Sequence, residues 1–240
     1  MIGRPDERVL QRYAKLAGLM YLLTNAAAIF AQQLSGQFIA GNDPVATAGN
    51  ITGSLSLFRL TLALELLTVA GTIALFVALY VVLREVNRNL ALLAAFWRLA
   101  ENCILAGMTF TTFTAVELIS GRPYMQAADA EQLQVLMYAL LRVHLYGFQV
   151  GFLFLGLGSA AFSYLWLKSG YIPRWIAAWG IFASSIMAVV ALIVIVYPPF
   201  YGMVTMAYMA PMAIYEIGLG LWLLVRGIDI PAAESRTVGP

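Results

Sequence analysis

The 240-residue chain is 62% hydrophobic and 11% charged, with a formal net charge of +2, where a soluble domain carries roughly 25% charged and 45–50% apolar residues. This excludes a soluble globular protein, and basic residues dispersed among the connections give no support to nucleic-acid binding. A single cysteine, Cys103, and a single histidine, His144, exclude a disulfide framework and a cysteine-rich or bis-histidine metal site within one chain; no cofactor is implied.

Residues 1–15 are polar, and the apolar run after them lacks a small-x-small cleavage site, so it reads as a retained first span. Apolar stretches then follow at about Leu16–Leu34, Leu57–Leu83, Leu90–Leu118, Val135–Leu167, Trp175–Tyr197 and Val204–Val225. Each is long enough for a hydrocarbon core of about 30 Å. The expectation is an all-α, polytopic bundle of about six transmembrane helices occupying residues 16–226, with a disordered tail over 227–240. Between the first two spans, Asp43 followed by Pro44 has the form of an N-cap with proline at the first helical position, which predicts a short surface helix. Gly170 and Pro173 punctuate the turn between the fourth and fifth spans.

Basic residues orient the spans. Arg4, Arg8, Arg12, Lys15, Arg84, Arg88, Lys168, Arg174 and Arg226 all fall on one side, and the opposite loops offer only Arg122 outside the helices. The positive-inside rule then places both termini in the cytoplasm.

Ionisable residues inside the spans are the candidate site. Counting 1.5 Å per residue from the span ends places Glu65 about 14 Å deep, Arg98 and Glu101 about 12–17 Å, Arg142 and His144 about 10–14 Å, and Glu216 about 18 Å, so the expectation is one layer near the midplane. Lipid-facing charges there cost roughly 2.5–3.5 kcal/mol each or more, so these groups must face one another or water. Three glutamates stand against two arginines and one histidine; with His144 neutral, one glutamate must hold a proton. Arg98 and Glu101 are spaced to pair along their own helix, with Asn102 on nearly the same face. Arg142 shares a polar, aromatic stripe with Tyr138, Tyr146 and Gln149, while His144 lies nearer the face of Gly147 and Gly151, whose small-xxx-small spacing invites close helix approach. Glu216 has no cation on its own helix and follows Pro211, which predicts a kink; Tyr208, Met212 and Tyr215 surround it as a polarizable lining.

Read together, DPVATAGNI with SLFRL, LYVVLREVNRNLALLAAFWRLAE, HLYGFQVGFLFLGLGS and SGYIPR give a chain that resembles, over roughly Arg12 to Val225, the bacterial membrane family catalogued as Domain of Unknown Function 4386. The resemblance implies a six-helix bacterial membrane protein and transfers no activity.

Three functions fit these residues. The first is a membrane-embedded enzyme acting on an isoprenoid or lipid, with Glu216 or Glu65 as a protonated general acid, His144 in the relay, and Arg142, Tyr138, Tyr146, Gln149, Arg98, Glu101, Asn102, Tyr208, Met212 and Tyr215 binding a hydrophobic small molecule. The second is a proton-coupled transporter using the same charges as a relay. The third is a non-catalytic membrane or signalling partner in which the ion pairs only fix helix register.

Overall fold

The structure is a computed structural model and describes residues 6–120, 129–204 and 207–230. The elements are α1 (Glu7–Gly36), α2 (Pro44–Gly53), α3 (Leu55–Leu83), α4 (Arg88–Ile119), α5 (Ala130–Ser169), α6 (Arg174–Val196), α7 (Phe200–Val204), a 3-10 turn (Ala207–Met209) and α8 (Ala210–Val225). Six helices are long and apolar enough to cross a membrane, the last counted from Ala207. No strand occurs among the described residues.

Local chemistry sets the helix ends. The Asp6 and Asp43 carboxylates accept the amides of Arg8 and Ala46, each at 3.0 Å, and the Asn87 side chain accepts that of Leu90. Each thereby satisfies a donor that has no partner within the helix. Pro44 occupies the first turn of α2, as its sequence predicts. Gly170, at φ +67°, ends α5 in the left-handed region that side chains avoid.

Each membrane-length helix packs against the next in chain order, α1 on α3, α3 on α4, α4 on α5, α5 on α6 and α6 on α8, and α8 closes the ring on α1. One end, called basal here, carries the start of α1, the α3–α4 and α5–α6 turns and the end of α8; the distal end carries α2 and α7. Small residues set the spacing. A Cβ on Gly18 would meet the Gly220 carbonyl and the Leu224 amide at 2.7 Å, and one on Gly156 would meet the Ala188 amide at 2.7 Å. The backbones of α1 and α8, and of α5 and α6, therefore touch.

Packing continues past Arg226, the last residue of the expected membrane domain. Gly227, at φ +73°, turns the chain, and Ile228 is 3% exposed in the core. The Gln11 side chain grips the backbone of Ile228, donating from Nε2 to its carbonyl and accepting its amide at Oε1 (3.1 Å). Asp229 donates its amide to the Tyr171 carbonyl at 2.9 Å, so residues 227–229 link α1 to the α5–α6 turn. The rest of the expected tail lies outside the described residues. Gln11→Leu will lower stability by roughly 1–3 kcal/mol, the cost of leaving part-buried backbone groups unpaired; thermal unfolding of the purified protein in detergent reads it.

Two sequence expectations are corrected. α5 begins at Ala130, not Val135, and its 40 residues extend about 60 Å. The last span is not a helix kinked at Pro211: α8 starts at Ala210, after the 3-10 turn, with Pro211 in its first turn. There proline's missing N–H costs nothing.

Candidate functional site

The buried charges divide between two levels. Arg98 stands about 15 Å above the basal end of α4, and Glu216 about 14 Å above that of α8; both are near the middle of a 30 Å core. Thr112 and His144 stand about 36–38 Å above the basal ends of α4 and α5, Glu65 about 27 Å above that of α3, and Arg142 about 40 Å. The expectation of a single mid-membrane layer therefore fails for Glu65, His144 and Arg142, because their depths count from the distal ends of spans longer than about 30 Å and those of Arg98 and Glu101 from the basal end.

The central level is built on an ion pair. Arg98 Nη1 and Glu101 Oε2 are 2.7 Å apart on α4, as the i,i+3 spacing predicts, and both residues are buried. Asn102 donates to the Arg98 carbonyl at 2.8 Å, and its own Oδ1 has no hydrogen-bond partner among the described residues. Gly158 of α5 lies against this pair: a Cβ there would meet Arg98 Cγ at 2.9 Å and the Ala94 carbonyl at 3.0 Å. α8 brings a second carboxyl, Glu216, into electrostatic reach of Arg98. Asn25 of α1 donates to Glu216 Oε2 at 3.0 Å.

Tyrosines close the cluster. Tyr21 of α1 is 3% exposed and interacts with Arg98, Glu101, Tyr215 and Glu216. The Tyr215 hydroxyl accepts Ser163 Oγ at 2.8 Å, and Gly180 makes room for its ring, since a Cβ there would fall 2.4 Å from Cε2 and Cζ. Met212 is buried against α6, where Ser184 Oγ lies 3.7 Å from its sulfur. Tyr215 and Met212 thus sit in packed interior.

The second level joins α3, α4 and α5. Glu65 accepts Thr109 Oγ1 at 2.9 Å, and its other oxygen lies 3.7 Å from His144 Nε2. His144 Nδ1 is 2.8 Å from Thr112 Oγ1 and 3.2 Å from the Met108 carbonyl. This fixes the ring with Nε2 toward the carboxylate. The close approach depends on Gly147, where a Cβ would meet the Met108 sulfur at 2.6 Å. The expected glycine face of α5 is therefore the face that meets α4.

At the distal end, Arg142, Tyr146, Gln149, Val194, Pro198 and Tyr201 line a cavity of 140 Å³. Arg142 Nη2 donates to the Tyr146 hydroxyl at 3.1 Å, and its guanidinium lies 5.4 Å from the centre of that ring. Tyr208 donates to Gln149 Oε1 at 3.1 Å. Tyr138, expected on the same stripe, interacts with Arg142 and also donates to the Gly41 carbonyl at 2.5 Å, which fastens α5 to the turn before α2. Arg59 and Glu117 pair at 3.1 Å at this end.

Sequence reasoning missed Tyr21, Asn25, Ser163, Thr109 and Thr112. Asn25, a polar amide within an apolar run, carried a signal; a serine or threonine in a span does not, because its hydroxyl usually satisfies itself on its own helix. No group of three or more histidine, cysteine, aspartate and glutamate side chains able to hold a metal occurs among the described residues.

Six apolar helices closed in a ring around buried ion pairs define a multi-pass α-helical membrane protein. The chain belongs to the family described as Domain of unknown function (DUF4386), whose model matches residues 16–227. No curated protein and no solved structure matches it.

Proposed function

We propose that the protein is a proton-coupled carrier of the bacterial cytoplasmic membrane, with the Arg98–Glu101–Glu216 cluster as its proton-holding station. The observation that carries the reading is the buried Arg98–Glu101 pair at mid-span with a second carboxyl, that of the half-buried Glu216 on α8, within electrostatic reach of the same guanidinium. With both carboxyls ionised, the cluster keeps a net negative charge where an uncompensated ion is most costly; with one proton added, it is neutral. Glu216 arrives on the short α8, which follows a break in the chain's helical course. Interrupted helices of this kind form ion sites in transporters. Movement of α8 against α4 would change Glu216's distance from Arg98 and with it the cost of holding or releasing the proton.

Glu65 and His144 supply a second station toward the distal end. The basic residues of the basal end, among them Arg8, Arg12, Lys15, Arg84, Arg88, Lys168, Arg174 and Arg226, favour a cytoplasmic location for that end. The isoprenoid-enzyme reading has weaker support: such ligands occupy pockets of roughly 300–1,000 Å³, the cavity beside Arg142 has 140 Å³, and Tyr215 and Met212 are enclosed by packing.

Infrared difference spectroscopy of the protein in liposomes, stepped from acid to alkaline buffer, tests the reading. A carbonyl-stretch band of a protonated carboxyl will appear in the wild type and change with pH, and Glu216→Gln will remove or shift it. If the wild type shows no pH-dependent carboxyl band, both glutamates keep fixed charge states and the carrier reading fails.

A further inference from the structure

We infer that the distal cavity binds a small organic carboxylate through Arg142 and Gln149. That this anion is also the cargo rests on the proton-coupled reading above. Among the described residues no carboxylate pairs with Arg142, whose contacts are the hydroxyls of Tyr146 and Tyr138. A guanidinium has five N–H donors in a fork that matches a carboxylate, so most of its capacity is unspent.

The rest of the cavity has the same preference. Gln149 is 4% exposed, and with Oε1 engaged by Tyr208 its amide NH2 is the group left to donate. The hydroxyls of Tyr146 and Tyr201 add donors, and among the described residues none that lines the cavity is acidic. A buried amide, a guanidinium and phenols converging without a counter-charge recognise an anion. Val194 and Pro198 form an apolar wall, which inorganic anions do not require and a short alkyl chain does. A volume of 140 Å³ is well below the roughly 300–1,000 Å³ of drug-sized ligand pockets, which suits a carboxylate of a few carbons better than a long-chain fatty acid.

The site's position agrees with capture from the distal side. Gln149 stands about 30 Å above the basal end of α5 and Arg142 about 40 Å, so the amide lies at the distal edge of a hydrocarbon core of about 30 Å and the guanidinium about 10 Å beyond it.

Titration calorimetry of the full-length protein in detergent, at constant high chloride, tests the site with sodium propionate. Saturable binding is expected, with octanoate much weaker. Arg142→Gln will weaken propionate by at least about tenfold, because a charge-assisted bidentate contact is lost. Arg142→Lys will fall between, keeping the charge but not the fork, and Gln149→Leu will weaken binding by about threefold or more. No saturable propionate binding by monodisperse wild type would overturn the inference. So would equal binding by Arg142→Gln, or phosphate binding as tightly as propionate. The two readings fail separately. Propionate binding with vesicle uptake indifferent to an imposed proton gradient keeps the site and removes the coupling. A pH-dependent carboxyl band in a protein that binds no propionate keeps the proton station and removes this ligand.

Discussion

Replacing Arg98 by leucine will destabilise the protein by roughly 3–5 kcal/mol, the range found when one member of a buried ion pair is removed and its partner is left charged and unpaired. Of the ion pairs among the described residues, this one is the most enclosed. Glu101 lies 2.7 Å away and is itself buried, and Glu216 of α8 is within electrostatic reach of the same guanidinium. Removing Arg98 leaves two carboxyls that must both take protons. The double variant Arg98→Leu, Glu101→Leu will recover much of the loss, since it removes charge and counter-charge together. The cycle of two single variants and the double, read by thermal unfolding in detergent, measures their coupling. If the loss from Arg98→Leu is no larger than that of an exposed pair such as Arg84–Glu85, worth about 0–1 kcal/mol, the cluster is open to water and the proton station has no basis.

The same comparison shows what the sequence could disclose. The pairing of Arg98 with Glu101 was legible because both partners lie on one helix, where spacing alone settles proximity. Glu216 was legible as a residue needing a partner, but Arg98 and Asn25 as its partners were not. They come from α4 and α1, and neighbour relations among six apolar helices of similar composition leave no mark in the periodicity. The Glu65–His144 contact was hidden for the same reason. Depth was misjudged where an apolar run is longer than the hydrocarbon core. The run Val135–Leu167 extends about 48 Å, so Arg142 and His144, counted about 10–14 Å from its distal end, stand about 34–38 Å from its basal end and not at the midplane. At α8 the proline signal was real and its consequence differed: with no helix N-terminal to it in register, Pro211 starts a helix instead of bending one.

Gly18→Leu will open the ring, and the loss will reach the charged cluster. A Cβ at Gly18 would lie 2.7 Å from the Gly220 carbonyl and 2.7 Å from the Leu224 amide. Both are backbone atoms of α8, so no side-chain rotation relieves the clash and the helices must part. Overpacking of this kind costs typically 1–3 kcal/mol and occasionally more. The two helices are also joined by the Asn25–Glu216 hydrogen bond and by Tyr21, whose Cβ lies 2.9 Å from where a Gly220 side chain would begin. Separation therefore weakens the contact that holds Glu216. The expected result is a lower unfolding temperature together with a shifted Glu216 carboxyl band. Gly218→Ala is the matched control: nothing lies within 4 Å of its Cβ, and alanine is the better helix former by about 1 kcal/mol, so stability and spectrum should hold or improve. If Gly18→Leu leaves the band unmoved while Gly218→Ala shifts it, the α1–α8 contact does not position Glu216, and the station's geometry depends on α4 and α5 alone.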